Sequence, residues 1–255
     1  MIGVLLMAYG TPGSLDEIEA YYTHIRGGRP PSRELLDELM ERYRAIGGRS
    51  PLLDITRRQA AALERVLNGA QGEAYRVYVG MKHASPFIAD TVTQMAGDGL
   101  SRGVVAALAP HYSRMSIGGY INTVKKVLGT LPAPPPMTFV ESWHDHPSFL
   151  QALAEVLTEA LGRLAEAERA SVHVIFTAHS LPAKILEWDD PYPRELRRTC
   201  EGVARLTALE RWDFAYQSAG RTADPWLGPD LKEVLHRLYA EGKRVVVICP
   251  VGFVA

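Results

Sequence analysis

Seven short apolar runs, each the length of a buried strand, recur along the chain with helical stretches between them, and this alternation limits the fold more than any other feature. The runs are Val4–Ala8, Arg76–Val79, Val104–Ala109, Thr138–Val140, Val172–Thr177, Phe214–Tyr216 and Arg244–Cys249. Leu150, Leu153, Val156, Leu157, Leu161 and Leu164 follow one another at helical spacing, which predicts a helix over 149–167 entered through a capping box of Ser148 and Gln151. Leu35, Leu36, Leu39, Met40 and Tyr43 mark another helix, and Ser14 with Glu17 and Asp230 with Glu233 read as two further helix starts. Strands alternating with helices predict parallel sheets covered on both faces, the doubly wound α/β class. The pattern also repeats. Four runs precede residue 142 and three follow it, and the third of each set leads into proline, at Pro110 and Pro250. Two Rossmann-like halves are therefore expected, 1–145 and 146–255, the second lacking its fourth strand, so that the chain reads as incomplete. Pro132-Ala133-Pro134-Pro135-Pro136 fits neither helix nor central strand and reads as a stiff surface connection.

A chain of 255 residues with 47% hydrophobic residues is able to bury roughly 70–75% of its unfolded surface, enough for one large or two modest cores. Lysine plus arginine total 28 against 29 aspartate plus glutamate, so the broad positive field that attracts a phosphate backbone is missing and nucleic acid is not an expected partner. Cys200 and Cys249 are too few for a disulfide framework and read as two buried thiols in a reducing compartment. Met1–Ala8 is apolar but has no basic lead and runs into Tyr9-Gly10-Thr11-Pro12, so it reads as a first strand and not as a signal peptide. No apolar stretch approaches the ~20 residues of a transmembrane helix, and a cytoplasmic location is expected.

In open α/β sheets ligands bind beyond the carboxyl ends of the strands. The residues there are Tyr9-Gly10-Thr11-Pro12, Lys82-His83, His111-Tyr112-Ser113, Trp143-His144, His179-Ser180-Leu181-Pro182 and Gln217-Ser218-Ala219-Gly220. His179 follows the apolar run Val174–Ala178 and precedes a turn closed by proline, which puts an imidazole at the rim of a hydrophobic sheet. A neutral imidazole takes a proton near neutral pH or binds a divalent transition metal. The alternative is a hydrogen-bonded structural histidine. His83 and His111 read as braces for loops, and His144 and His146, in an Asp/Pro-rich turn, as solvated. No zinc spacing is present. A second feature is arginine beside glycine and aromatic residues: Tyr21-Tyr22-Thr23-His24-Ile25-Arg26-Gly27-Gly28, Arg42-Tyr43 and Gly47-Gly48-Arg49-Ser50. Guanidinium pairs with carboxylate while rings cover an apolar face, so the pattern suits a flat ligand bearing carboxylates. Taken alone, these features are better explained by a solvated arginine-rich loop. The glycines form no dinucleotide or Walker element.

Met7-Ala8-Tyr9-Gly10-Thr11-Pro12, Tyr21-Tyr22-Thr23-His24-Ile25-Arg26, Ala45-Ile46-Gly47-Gly48, Ser50-Pro51-Leu52, Leu108-Ala109-Pro110-His111, Ala178-His179-Ser180-Leu181-Pro182, Asp190-Pro191-Tyr192-Pro193, Asp224-Pro225-Trp226-Leu227-Gly228-Pro229-Asp230 and Pro250-Val251-Gly252-Phe253 together resemble the ferrochelatase family over the whole chain. The likeness is greatest to the monomeric, soluble enzymes of Gram-positive bacteria that act on coproporphyrin III. The resemblance implies a chelatase-like fold of two Rossmann-like domains with a porphyrin held in the cleft between them. It implies His179 as the catalytic residue that meets the metal and takes pyrrole protons, and Tyr9 as a second metal contact on the other porphyrin face. Tyr9, Arg26, Arg42, Tyr43, Ser50 and Tyr120 match positions that contact the macrocycle or its propionates. It further implies Fe²⁺ as a substrate, no tightly bound cofactor, and a monomer. Gly27 departs from the family pattern, where a second arginine is common, and one propionate contact is lost with it. In the family, a phrase resembling Pro250–Ala255 is followed by an acidic-histidine segment carrying the glutamate that pairs with the catalytic histidine. Strongly reduced insertion with retained porphyrin binding is expected for the chain as written.

Two rivals remain open at the level of sequence: a cobalt or nickel chelatase acting on a sirohydrochlorin-like tetrapyrrole, and a non-catalytic tetrapyrrole carrier.

Overall fold

The computed structural model describes residues 1–69, 74–220 and 222–254; Ala255, the last residue of the Pro250–Ala255 phrase, lies outside them. The chain forms two compact units: Met1–Leu108 with Gly119–Val140, and Ala109–Gly118 with Glu141–Val254.

The first unit is built on four parallel strands, β1 (Ile2–Ala8), β2 (Tyr75–Met81), β3 (Arg102–Ala107) and β4 (Met137–Val140), in the order β2-β1-β3-β4. Every residue of the central β1 is buried, as its continuous apolar sequence requires of a strand covered on both faces. Alternate side chains serve opposite faces. Val4 and Leu6 pack with Ala60 and Leu63 of α3 (Leu52–Gly69). On the other face α4 (Ile88–Gly97) lies so close that a Cβ on Gly3 would stand 2.3 Å from Leu100 and 2.8 Å from Met95. Glycine at that point allows the helix layer to touch the sheet. The unit also holds α1 (Ile18–Ile25), α2 (Arg33–Ala45) and, from Gly119 onward, α5 (Ile117–Leu128).

The second unit has three parallel strands among the described residues, β5 (His173–His179), β6 (Trp212–Gln217) and β7 (Val246–Pro250), ordered β6-β5-β7. Ala154 and Leu157 of α6 (Pro147–Gly162), with Leu196, Cys200 and Val203 of α8 (Tyr192–Leu206), cover Phe176 and Ala178 on one face. Val234 and Leu238 of α9 (Leu231–Ala240) cover Ile175 and Ala215 on the other. The seven runs read from the sequence correspond to the seven strands among the described residues, and both cysteines are buried free thiols. The Asp230–Glu233 capping box closes as expected: the Asp230 carboxylate accepts from Lys232 N and the Glu233 carboxylate from Asp230 N.

Two helix starts differ from expectation. α6 begins at Pro147 with His146 as its cap, the His146 ring accepting from Ser148 N, because proline at the first helical position is pre-set for the helix and moves the start forward. Its run also ends at Gly162, and a short α7 (Glu166–Ser171) follows. Ser14 opens only a 3₁₀ turn and makes no cap bond, while Glu17 reaches back to Gly13 N instead. No helix among the described residues is long and apolar enough to cross a membrane.

Candidate active site

In the first unit the β1–β2 ladder ends at Ala8 opposite Met81, and the turn that follows is held by Lys82 N donating to Ala8 O and His83 N to Tyr9 O, each at 2.9 Å. These bonds hold the His83 ring against Tyr9, 4.6 Å between ring centroids. The chain turns sharply at Gly10, at φ +86, where a Cβ would lie 2.9 Å from Ala84 N. His83 Nδ1 shares a proton with His24 Nδ1 of α1 across 2.9 Å. Burial, then Lys82 and His24, push the His83 pKa down to about 4, so its ring is neutral at pH 7.

Around Tyr9 stand three further phenols. Tyr21 of α1 and Tyr43 of α2 are hydrogen-bonded through their hydroxyls, and Tyr120 sits in the first turn of α5, 7% exposed. Burial is the main cause holding all four phenols above their ordinary pKa; Tyr43 adds to the effect on Tyr9 and Tyr21, and Tyr9 to that on Tyr120. They are uncharged at neutral pH, and Tyr9 is still 45% exposed. The structure thus brings Tyr9, Tyr43 and Tyr120 together. Arg26, Arg42 and Ser50 instead meet local partners: Arg26 lies over the Tyr22 ring at 5.9 Å, Arg42 pairs with Glu38, and the Ser50 oxygen accepts from Leu52 N at the start of α3. Both arginines are exposed, and the Ser50 hydroxyl proton remains free to donate. A shallow depression of about 910 Å³ beside α1 is lined by Asp16, Glu19, Thr23, His24, Gly27 and Gly28. A Cβ on Gly27 would meet nothing within 4 Å.

In the second unit His179 is the last residue of β5 and is exposed, not packed inward. Its Nδ1 donates to the Ser180 carbonyl, which only accepts, so the neutral ring carries its proton on Nδ1 and keeps the Nε2 lone pair free. The backbone beneath is fixed by Ser180 N to Gln217 O at 2.8 Å, the Ser180 hydroxyl to Leu227 O at 2.8 Å, and the Tyr192 hydroxyl to His179 O at 2.9 Å.

Behind Tyr192 lies a buried polar network. Asp190 accepts from the Ser113 hydroxyl and from the backbone N–H groups of Arg114 and Tyr192. Glu195 accepts from Tyr112 N at 2.6 Å and from the Ser142 hydroxyl at 2.8 Å. Thr199 gives its one proton to a backbone carbonyl, so His111 Nε2–H must donate to Thr199 at 2.8 Å. Burial, then His144, lowers the His111 pKa to about 3. His111 braces its loop as expected. His144 does not behave as expected: it is 7% exposed and packs beside Glu195, because Ser142 and Glu195 supply buried partners that a turn composition does not reveal. Among the described residues no three His, Cys, Asp or Glu side chains are placed to hold a metal.

The sequence reading passed over His24, Tyr21 and Tyr192. Each acts through a partner distant in the chain, and the one signal available was an aromatic or imidazole residue inside a motif already quoted.

A family model described as "Ferrochelatase" matches residues 1–255. The chain is 45% identical to a protein of Herpetosiphon aurantiacus named ferrochelatase, over 98% of this chain and 82% of that one. It is also similar to proteins named coproporphyrin III ferrochelatase: 45% identical to that of Halalkalibacterium halodurans, covering 100% of this chain and 82% of the relative, and 46% identical to that of Geobacillus kaustophilus, covering 99% and 80%.

Proposed function

This chain belongs to the ferrochelatase family, and from that premise we propose that it inserts ferrous iron into a porphyrin, with coproporphyrin III as substrate and coproheme as product. Similarity to relatives named for coproporphyrin III supports the choice of substrate. The observation that carries the chemistry is the free Nε2 of His179 at the exposed end of β5.

Insertion requires two pyrrole N–H protons to leave while Fe²⁺ enters from one side of the ring. A neutral imidazole with its lone pair outward accepts such a proton near neutral pH, and in its unprotonated state meets a ferrous ion. The hydrogen bond from Nδ1 to the Ser180 carbonyl supports Nε2 as the nitrogen that does this and opposes a turn of the ring that would present its protonated edge. Tyr9 presents a phenol that burial keeps protonated. A neutral phenol is a weaker metal ligand than a phenolate, so it contacts iron without drawing it away from the pyrrole nitrogens. Arg26 and Arg42 serve substrate carboxylates as guanidinium donors, and Tyr43, Ser50 and Tyr120 contribute hydroxyl donors. Fe²⁺ is consumed as substrate and no tightly bound cofactor enters the scheme. Two buried free thiols suit a reducing cytoplasm.

Anaerobic incubation with Fe²⁺ and coproporphyrin III, followed by absorbance, tests the reading. Free porphyrin bands are expected to give way to those of the iron complex. Metallation of sirohydrochlorin with cobalt or nickel, with every porphyrin left metal-free, would overturn it.

A further inference from the structure

His24 and His83 meet through like atoms: Nδ1 of one ring stands 2.9 Å from Nδ1 of the other, with the rings inclined at 76°. A single proton lies between the two nitrogens, so one donates and the other accepts. Neither ring is needed there as a brace. His83 N already bonds Tyr9 O, and His24 is held by its place in α1. His24 is exposed and His83 half-buried, so water competes for the shared proton and the bond adds little to the fold. His111 is the opposite case, 3% exposed with its Nε2–H committed to Thr199.

The same geometry suits an ion. Two nitrogens bound to one metal at about 2.1 Å and meeting at a right angle stand about 3.0 Å apart, and imidazole is a ligand that ferrous ion accepts. Asp16 and Glu19 line the depression that His24 also lines, which gives the approach a negative potential. Lys82 disfavours positive charge at His83 and keeps the hold weak. Among the described residues no three His, Cys, Asp or Glu side chains form a cage, so an ion on two nitrogens keeps most of its water. A resident metal needs a closed site. A metal that is consumed needs one it is able to leave.

We propose that His24 and His83 form a loading site for the ferrous substrate, a two-nitrogen site beside Tyr9 and distinct from the imidazole of His179. The metal takes the place of the shared proton. That proton leaves Nδ1 of the donor ring for water, the same ring takes one from water at Nε2, and both rings stay neutral with their Nδ1 lone pairs on the metal. The role rests on the reading of iron as substrate, whereas binding of a metal alone is measured without any porphyrin.

Anaerobic titration with Co²⁺, followed by its visible absorption, tests the site in a His179→Ala background, so that the His179 imidazole is not counted. His24→Gln is expected to weaken Co²⁺ binding about 10- to 100-fold, the range for disturbed metal ligation, and His83→Gln equally. The two together are expected to cost much less than the product of the two losses, since two ligands of one ion act as a unit. With His179 intact, His24→Gln is expected to raise the KM for Fe²⁺ about 10-fold while kcat and coproporphyrin affinity stay within about twofold, the pattern of lost substrate binding. Unchanged Co²⁺ affinity in both single variants overturns the site. Lost Co²⁺ binding with an unchanged KM for Fe²⁺ overturns the loading role and marks an adventitious site. Failure of the parent chain to metallate any porphyrin, with Co²⁺ binding still lost in both variants, overturns the underlying reading and the loading role while the metal site stands.

Discussion

The two sheet rims are built alike and furnished differently. At the end of β1 and β2 the first unit gathers four uncharged phenols, a neutral imidazole and an ammonium set over a phenol ring. At the end of β5 the second unit places carboxylates engaged within the fold: Asp190 and Glu195 accept from backbone N–H groups and hydroxyls, and through Tyr192 the network reaches the residue that bears the free imidazole nitrogen. Parallel topology supplies only the location. What each rim does follows from whether its polar groups are satisfied within the fold, and unsatisfied ones concentrate where a ligand is to be met.

The sharpest way to break this contrast is His179→Ala. Removing the acceptor from the second rim is expected to slow metal insertion by about 100-fold or more, the lower bound for a lost general base, while coproporphyrin affinity stays within about threefold. A comparable loss of affinity would mean that this rim binds the ring as much as the first.

Acid should find the second rim next. The folded pKa of His111, about 3, lies below the ordinary histidine value of 6.5 because burial disfavours the charged ring. Below pH 6.5 the unfolded chain therefore binds a proton that the folded chain does not, and the stability present above that pH is lost as pH falls toward 3. By pH 4 the loss is expected to be about 3 kcal/mol, read from urea midpoints, and His111→Asn should flatten the dependence.

The smallest effects compare two hydroxyls. Tyr192→Phe leaves the His179 carbonyl without its donor and is expected to cost about 1 kcal/mol of stability and to slow insertion severalfold. Tyr21→Phe removes one partner of the Tyr21–Tyr43 hydrogen bond, and about 0.5 kcal/mol is expected with insertion unchanged, since the Tyr43 hydroxyl rotates to suit a new partner. A larger effect from Tyr21→Phe would show that the phenol cluster is held as rigidly as the second rim.

The strands were legible because apolar runs of strand length report burial on two faces directly, and Asp230 with Glu233 was legible because a capping box is a local bond. The Ser148 start failed although it fits the same rule, since Pro147 and His146 offered a competing local solution that sets the cap two residues earlier. His179 was found by its place after a strand, a property of topology. Its tautomer, its support from Tyr192 and the burial of His144 beside Glu195 were not legible, because each depends on a side chain far along the sequence whose direction only tertiary packing sets.

Past the last β1–β2 pair, Ala8 opposite Met81, the backbone N–H groups of Lys82 and His83 donate to the successive carbonyls of Ala8 and Tyr9. Successive N–H groups of a regular strand face opposite edges, so two that reach the same neighbour mark the point where the chain turns out of the sheet. The turn is tied down by main-chain bonds, so ammonium and imidazole each keep their mooring whatever side chain replaces the other.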